Sequence, residues 1–141
     1  MRITARVHNA RDEHRVVVAT DGKPQALTVA AKTSGQGSAV NGGEFLMLAL
    51  ATCYCNDLYR EAARKGIAID AVEVEAQADF AGVGVAASNV TYRARIVSTA
   101  AQADVDALLR ETDAVAEVQN TLRIGRTVAR QPWGAEQRGP D

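Results

Sequence analysis

The stretch from Asn41 to Ile67, NGGEFLMLALATCYCNDLYREAARKGI, decides the fold because both of its ends carry helix signals and its interior carries a helical stripe. Asn41 is a good N-cap, and Glu44 falls three residues on, at the capping-box position. Arg64 and Lys65 occupy the last turn, and Gly66 can close it in the left-handed conformation. Met47, Ala51, Tyr54, Leu58 and Ala62 share one face between these ends. The spacing predicts one long central helix, with everything else arranged on either side of it.

Upstream, residues 2–8 alternate, with Ile3, Ala5 and Val7 on one side and Arg2, Thr4, Arg6 and His8 on the other, the period of a half-buried strand. Residues 16–19 and 27–30 flank Asp21-Gly22, a dipeptide that tolerates positive φ and favours a hairpin. The N-terminal third therefore reads as a three-stranded antiparallel sheet. The Ser- and Gly-rich segment 32–43 lacks periodicity and reads as a mobile loop.

Downstream, Val72, Val74, Ala76, Ala78 and Phe80 alternate with Glu73, Glu75, Gln77 and Asp79, so one face is core and the other is water. A turn over 81–88 leads to a returning strand through Val90, Tyr92, Ala94 and Ile96. Thr99 with Gln102 repeats the capping-box spacing ahead of a helix with Val105, Leu108, Leu109 and Val115 on one stripe. A short helical piece over 117–123 and a last strand over 127–130 complete an α+β fold with antiparallel sheets around two main helices. The expected organisation is a single domain over residues 1–131 and a loose tail over 132–141 that holds Trp133.

Composition narrows the function classes. The chain has 141 residues and a formal net charge of -1, and it has no basic patch interleaved with aromatics, so nucleic acid is not an expected partner. The longest strongly apolar run, Phe45 to Ala51, is far too short to span a bilayer, and the N-terminus lacks a secretory apolar stretch. No membrane partner is expected, and the expected location is cytoplasmic. In that reducing compartment Cys53 and Cys55 are expected as free thiols.

Cys53 is the centre of any chemistry. On a helix its neighbours three and four residues away are Ala49, Leu50, Asn56 and Asp57, so its thiol lies where an apolar stripe meets a polar one. Two residues along a helix turn a side chain by about 200°, so Cys53 and Cys55 point to opposite sides and cannot bond to each other. His8 and His14 lie far off in sequence and no second C-x-C or H-x-x-H accompanies the pair, so the sequence calls for no metal and no cofactor. Glu44 has two readings, a capping carboxylate bonding back to Asn41 and a group that orients a cationic partner of the thiolate.

These residues resemble the OsmC/Ohr family of hydroperoxide reductases, in which an N-P-x-E-L-L-type segment opens a central helix bearing the peroxidatic cysteine. Asn41, Glu44 and Cys53 match that pattern, and VQNTLR at 118–123 is similar to the family's C-P-V-S-N-T-L segment. The order of elements matches as well. The resemblance implies an intertwined homodimer with two sites at its interface and a small-molecule hydroperoxide as substrate. It further implies a Cys53 thiolate that attacks the O–O bond, held by an arginine from the first strand connection, with Arg11 the best match and Arg15 the second. Family members close a disulfide with a second cysteine, which a thiol reductant reopens.

Two departures matter. Ala116 and Glu117 stand where the family's resolving cysteine and proline fall. Gly43 stands where the organic hydroperoxide branch carries its glutamate, with the acid one place later at Glu44. Cys55 is the only other thiol, and it can resolve Cys53 only through local unwinding or from a partner subunit. The expectation is an oxidative-stress peroxidase whose Cys53 is restored by an external thiol. Its rivals are a protein of the same fold that binds a small ligand without turnover, and a Cys53/Cys55 redox sensor.

Overall fold

The computed structural model describes residues 1–134. The elements run β1 (Ile3–Ala10), β2 (Glu13–Thr20), β3 (Lys23–Leu27), α1 (Gly42–Lys65), β4 (Ala71–Asp79), β5 (Ser88–Val97), α2 (Gln102–Val115) and α3 (Glu117–Ile124). They fall into two compact units. The first comprises Met1–Ala51 with Glu75–Arg93, and the second comprises Thr52–Val74 with the chain from Ala94 onward.

In the first unit β1, β2 and β3 form an antiparallel sheet in sequence order. Asp21 and Gly22 have φ of 47° and 76°, and Thr20 pairs Lys23 directly. Two consecutive positive φ values give the turn whose twist matches the flanking strands. Because pairing resumes at Lys23, β3 occupies Lys23–Leu27 rather than the apolar run 27–30, which the ladder reaches only at its first residue.

The segment expected as a mobile loop is pinned instead. Ala31 and Ser38 form an isolated antiparallel bridge, Ala39 N–H donates to the Ala30 carbonyl at 2.9 Å, and Gly37 N–H donates to Asn9 Oδ1 at 3.1 Å. Gly35 and Gly37 supply the positive φ that this tight reversal requires.

The capping box of α1 is formed on both sides. Asn41 N–H donates to Glu44 Oε2 at 2.8 Å, and Glu44 N–H donates to Asn41 Oδ1 at 2.9 Å. At the far end Gly66 takes φ 69°. The second capping box does not form. Helix α2 begins at Gln102, too late for Thr99 to reach its first turn, and Gln102 Nε2 donates to Asp106 Oδ1 instead. Ser98 organises this connection, donating to the Ala68 carbonyl and accepting from Ala100 N–H.

Strands β4 and β5 form a two-stranded sheet, and β4 alternates in burial along its whole length as its sequence dictates. Arg93 pairs with Glu75, Arg95 with Glu73, and Asn89 Nδ2 with Asp79 Oδ2, charged or polar rungs on the wet face. The strand expected over 127–130 is absent. Among the described residues the chain beyond α3 has no regular structure, and Val128 is 95% exposed, with no sheet edge to join. Trp133 is equally exposed, and the expected tail beyond Gly134 lies outside the described residues.

Burial is uneven. In the second unit Tyr54, Leu58, Ala62, Val105, Leu108 and Ala116 are buried, so α1, α2 and the start of α3 contribute to one apolar centre. Tyr54 Oη donates to the Leu109 carbonyl at 2.6 Å, tying α1 to α2, and Lys65 pairs with Glu111 one helix end away. In the first unit only Val16 and Leu50 are buried among the apolar residues, while Ile3 and Val7, expected on a core face, are 66% and 60% exposed. One copy of the chain leaves that face of β1 uncovered.

Burial, followed by the charge of Asp113, pushes the Tyr54 phenol up to about 12. An unfolded tyrosine ionises near 10. The neutral buried phenol therefore contributes stability that is fully present below about pH 10 and is lost as pH rises toward 12. Tyr54→Phe should lower stability near pH 8 by about 1 kcal/mol through the lost hydrogen bond. It should also flatten the alkaline decline, as read from urea unfolding at pH 8 and pH 10.5; an unchanged alkaline slope contradicts the assignment.

Candidate functional site

Three positions of the second unit meet at the sulfur of Cys53. On α1, Asp57 follows Cys53 by four residues and Arg60 follows Asp57 by three, the spacing that stacks side chains on one helix face. From the other direction, the first turn of α3 brings in Glu117 and the backbone of Val118.

The contacts form a chain. Cys53 Sγ lies 3.6 Å from Asp57 Oδ2 and 3.8 Å from Glu117 Oε2, both as acceptors of the thiol proton. The other oxygen of Asp57 accepts from Arg60 Nη1 at 2.7 Å. That same nitrogen stands 3.9 Å from Glu117 Oε1, while Arg60 Nε donates to Glu61 Oε1 at 3.0 Å. The two carboxylates differ in setting, since the Asp57 side chain is 6% exposed and that of Glu117 is 71% exposed.

These surroundings raise the Cys53 thiol above its ordinary pKa. Partial burial is the largest cause, and the charges of Asp57 and Glu117 act in the same direction. The Val118 N–H opposes them by hydrogen-bonding the sulfur at the N-terminal end of α3, where a helix favours negative charge. Asp57 is likewise raised, by burial first and then by Glu117, against the pull of Arg60. The thiol is thus held in its protonated form with an acceptor on either side.

Cys53, Asp57 and Glu117 also form a group of three with donor atoms all within 4.8 Å of one another, a spacing that could suit a metal ion. Arg60 already supplies positive charge to two of the three, so the arrangement is complete as an ion-pair cluster.

The other residues singled out from sequence lie elsewhere. Arg11 is exposed in the two-residue turn between β1 and β2, and Arg15 pairs with Glu13 at 3.5 Å on β2. Glu44 is engaged in the helix cap. All three belong to the first unit, whereas the groups facing the thiol within its own unit are Asp57, Glu117 and Val118. Cys55 is a free, half-buried thiol on α1, two positions from Cys53 and so turned away from it.

The structure gives a reason for the glycine at 43. A Cβ there would lie 3.1 Å from two carbons of the Phe80 ring and 3.2 Å from Asn41 Oδ1. A side chain at 43 would require the Phe80 ring to give by a few tenths of an ångström. Ala116, between α2 and α3, is fully buried.

Sequence reasoning named Asp57 only as a helix neighbour, did not single out Arg60, and treated Glu117 only as a replacement for proline. The first two were signalled by their four- and three-residue spacings. The approach of Glu117, 64 residues along the chain from Cys53, had no local signal.

Comparison with known proteins places the fold. The family model for OsmC-like protein matches residues 35–129. The chain belongs to the OsmC-like protein family. It is similar to an organic hydroperoxide resistance protein OsmC from Legionella pneumophila, at 18% identity and TM-score 0.59 over 87% of this chain and 90% of that one. It is also similar to an OsmC-like protein from Mycoplasma pneumoniae, at 14% identity and TM-score 0.61 over 85% and 87%. An OsmC-like hydroperoxide resistance protein from a Jannaschia species gives 17% identity and TM-score 0.57 over 94% and 93%. No curated protein matches the sequence. No helix among the described residues is long and apolar enough to cross a membrane.

Removing the exposed carboxylate should lower the thiol's pKa. Glu117→Gln takes away one of the like charges that oppose the thiolate while leaving the Val118 N–H in place. Alkylation of Cys53 by iodoacetamide at pH 7 should become several-fold faster than in the parent protein. An unchanged rate would show that Glu117 does not act on the sulfur.

Proposed function

We propose that the protein is a thiol-dependent peroxidase in which Cys53 reduces an organic hydroperoxide or hydrogen peroxide. The observation that carries this reading is the position of the Cys53 sulfur, partly exposed where the first turn of α3 arrives, with the Val118 backbone acting to favour its thiolate. Membership of the OsmC-like family supports it, as does the description of two similar proteins as hydroperoxide resistance proteins.

In this reaction the sulfur attacks one peroxide oxygen, the O–O bond breaks, and the products are a Cys53 sulfenic acid and an alcohol or water. Position 116, a buried alanine, offers no thiol to capture the sulfenic acid. Cys55 points away along the helix. An external thiol therefore restores Cys53: one thiol forms a mixed disulfide with release of water, and a second thiol reduces that disulfide.

The family resemblance brings Arg11, or Arg15, to the thiolate at a dimer interface. Such a cation would offset the two carboxylates, and it enters the proposal on the resemblance alone. The uncovered apolar face of β1, with Ile3 and Val7, supports a second copy of the chain as its cover.

Purified protein given cumene hydroperoxide or hydrogen peroxide with dithiothreitol should turn over many times, and Cys53→Ser should abolish turnover. Consumption limited to one equivalent, or none, would instead favour the reading that the raised thiol pKa also suits, a ligand-binding protein that has lost the cycle. Light scattering on a sizing column should give twice the 14.9 kDa chain mass, and Val7→Glu should shift the protein toward the monomer. A monomer at micromolar concentration would count against the dimer.

A further inference from the structure

We propose that Asp57 is the proton carrier of the Cys53 reaction, taking the thiol proton as the sulfur becomes nucleophilic and passing it to the oxygen that leaves the peroxide. This inference rests on the peroxidase reading and assigns its acid–base step.

The geometry divides the work of the Asp57 carboxylate between its two oxygens. Oδ1 is anchored by Arg60 Nη1 at 2.7 Å, while Oδ2 faces the sulfur at 3.6 Å. Arg60 is itself held by Glu61, so the anchor has a fixed direction. The Asp57 side chain is more than nine-tenths buried and lies away from bulk water, whereas Glu117, the other acceptor near the thiol, is largely solvated. A thiol has one proton to donate. The sheltered carboxylate can retain that proton for the next step, whereas the solvated one exchanges it with water.

The step balances without any group beyond the chain and the peroxide. Cys53 S–H gives its proton to Asp57 Oδ2, and the thiolate attacks the distal oxygen of R–O–O–H. The S–O bond forms as the O–O bond breaks, and the electron pair leaves on the R–O oxygen. Asp57 returns the proton to that oxygen, releasing R–OH and leaving Cys53 as S–OH with Asp57 again a carboxylate. Sulfur is oxidised by two electrons and the peroxide is reduced by two.

Burial, and then the charge of Glu117, raise the Asp57 carboxyl above its ordinary value, which makes it a better acceptor for the thiol proton. The Cys53–Asp57 pair carries a single proton through the step. The charged groups facing the pair are Arg60 and Glu61 from α1 and Glu117 from α3.

The test compares two reactions of the same sulfur. Attack on iodoacetamide expels iodide, which needs no proton, whereas attack on cumene hydroperoxide expels an alkoxide, which does. In the unmodified protein, alkylation should rise with pH to a plateau. Sulfenic acid formation should pass through a maximum and fall where the pair loses its last proton. In Asp57→Asn the sulfenic acid rate, divided by the alkylation rate at the same pH, should fall about 100-fold, with Asp57→Glu restoring much of it.

Parallel pH profiles for the two reagents in the unmodified protein would overturn the proposal, and that measurement stands even if Asp57→Asn does not fold. So would an Asp57→Asn protein whose two rates rise together. A protein whose Cys53 forms no sulfenic acid at any pH removes the peroxidase reading itself, and the proton step with it.

Discussion

The hydrogen bond from Tyr54 Oη to the Leu109 carbonyl, together with the burial of Leu58 and Leu108, sets the rotation of α1 against α2 in the second unit. A helix turned by one residue would rotate its faces by about 100°. With Tyr54 fixed inward, Asp57 and Leu58 follow it to the buried side, and Cys53 is left at the edge of that side, where the first turn of α3 arrives. The position of the thiol is thus a consequence of how the adjacent Tyr54 packs. The same constraint places Arg60 beside Asp57, so a carboxylate that would be expensive to bury alone enters the interior with a partner.

Charge around the sulfur is arranged for proton handling more than for a standing thiolate. Two carboxylates and partial burial outweigh one backbone N–H, so the resting group is the thiol. A cysteine tuned in this way resists adventitious oxidation, because the thiolate is the reactive form. It depends on an acceptor at the moment of reaction. Glu117 supplies one of those acceptors from the first turn of α3, while the backbone of the neighbouring residue, Val118, favours the thiolate.

Much of the fold was readable because local patterns and tertiary environment agree. Asp21-Gly22 predicted a two-residue turn, and the chain makes one; the alternation from Val72 to Phe80 predicted a one-sided strand, and β4 alternates in burial as far as Asp79, while Phe80 beyond it is 52% exposed. Asn41 and Glu44 close the cap their spacing predicts. Other readings went astray, beginning with β3, which reaches only the first residue of the run 27–30, and the segment 32–43, which is pinned. The strand expected over 127–130 has no sheet edge to join among the described residues. Thr99 has the spacing of a cap, but its helix starts at Gln102. Ile3 and Val7 have the period of a core face, yet they are 66% and 60% exposed. At the site, the helix spacing of Cys53, Asp57 and Arg60 was visible in the sequence, whereas the approach of Glu117 across 64 residues was not.

The central claim is that Cys53 is the residue peroxide oxidises, and trapping its product tests that claim most directly. The protein is treated with one equivalent of cumene hydroperoxide in the presence of dimedone, and its peptides are then weighed by mass spectrometry. The account predicts a dimedone adduct on Cys53 and an unmodified Cys55. An adduct on Cys55 with Cys53 untouched, or no adduct on either thiol while the peroxide persists, would contradict it.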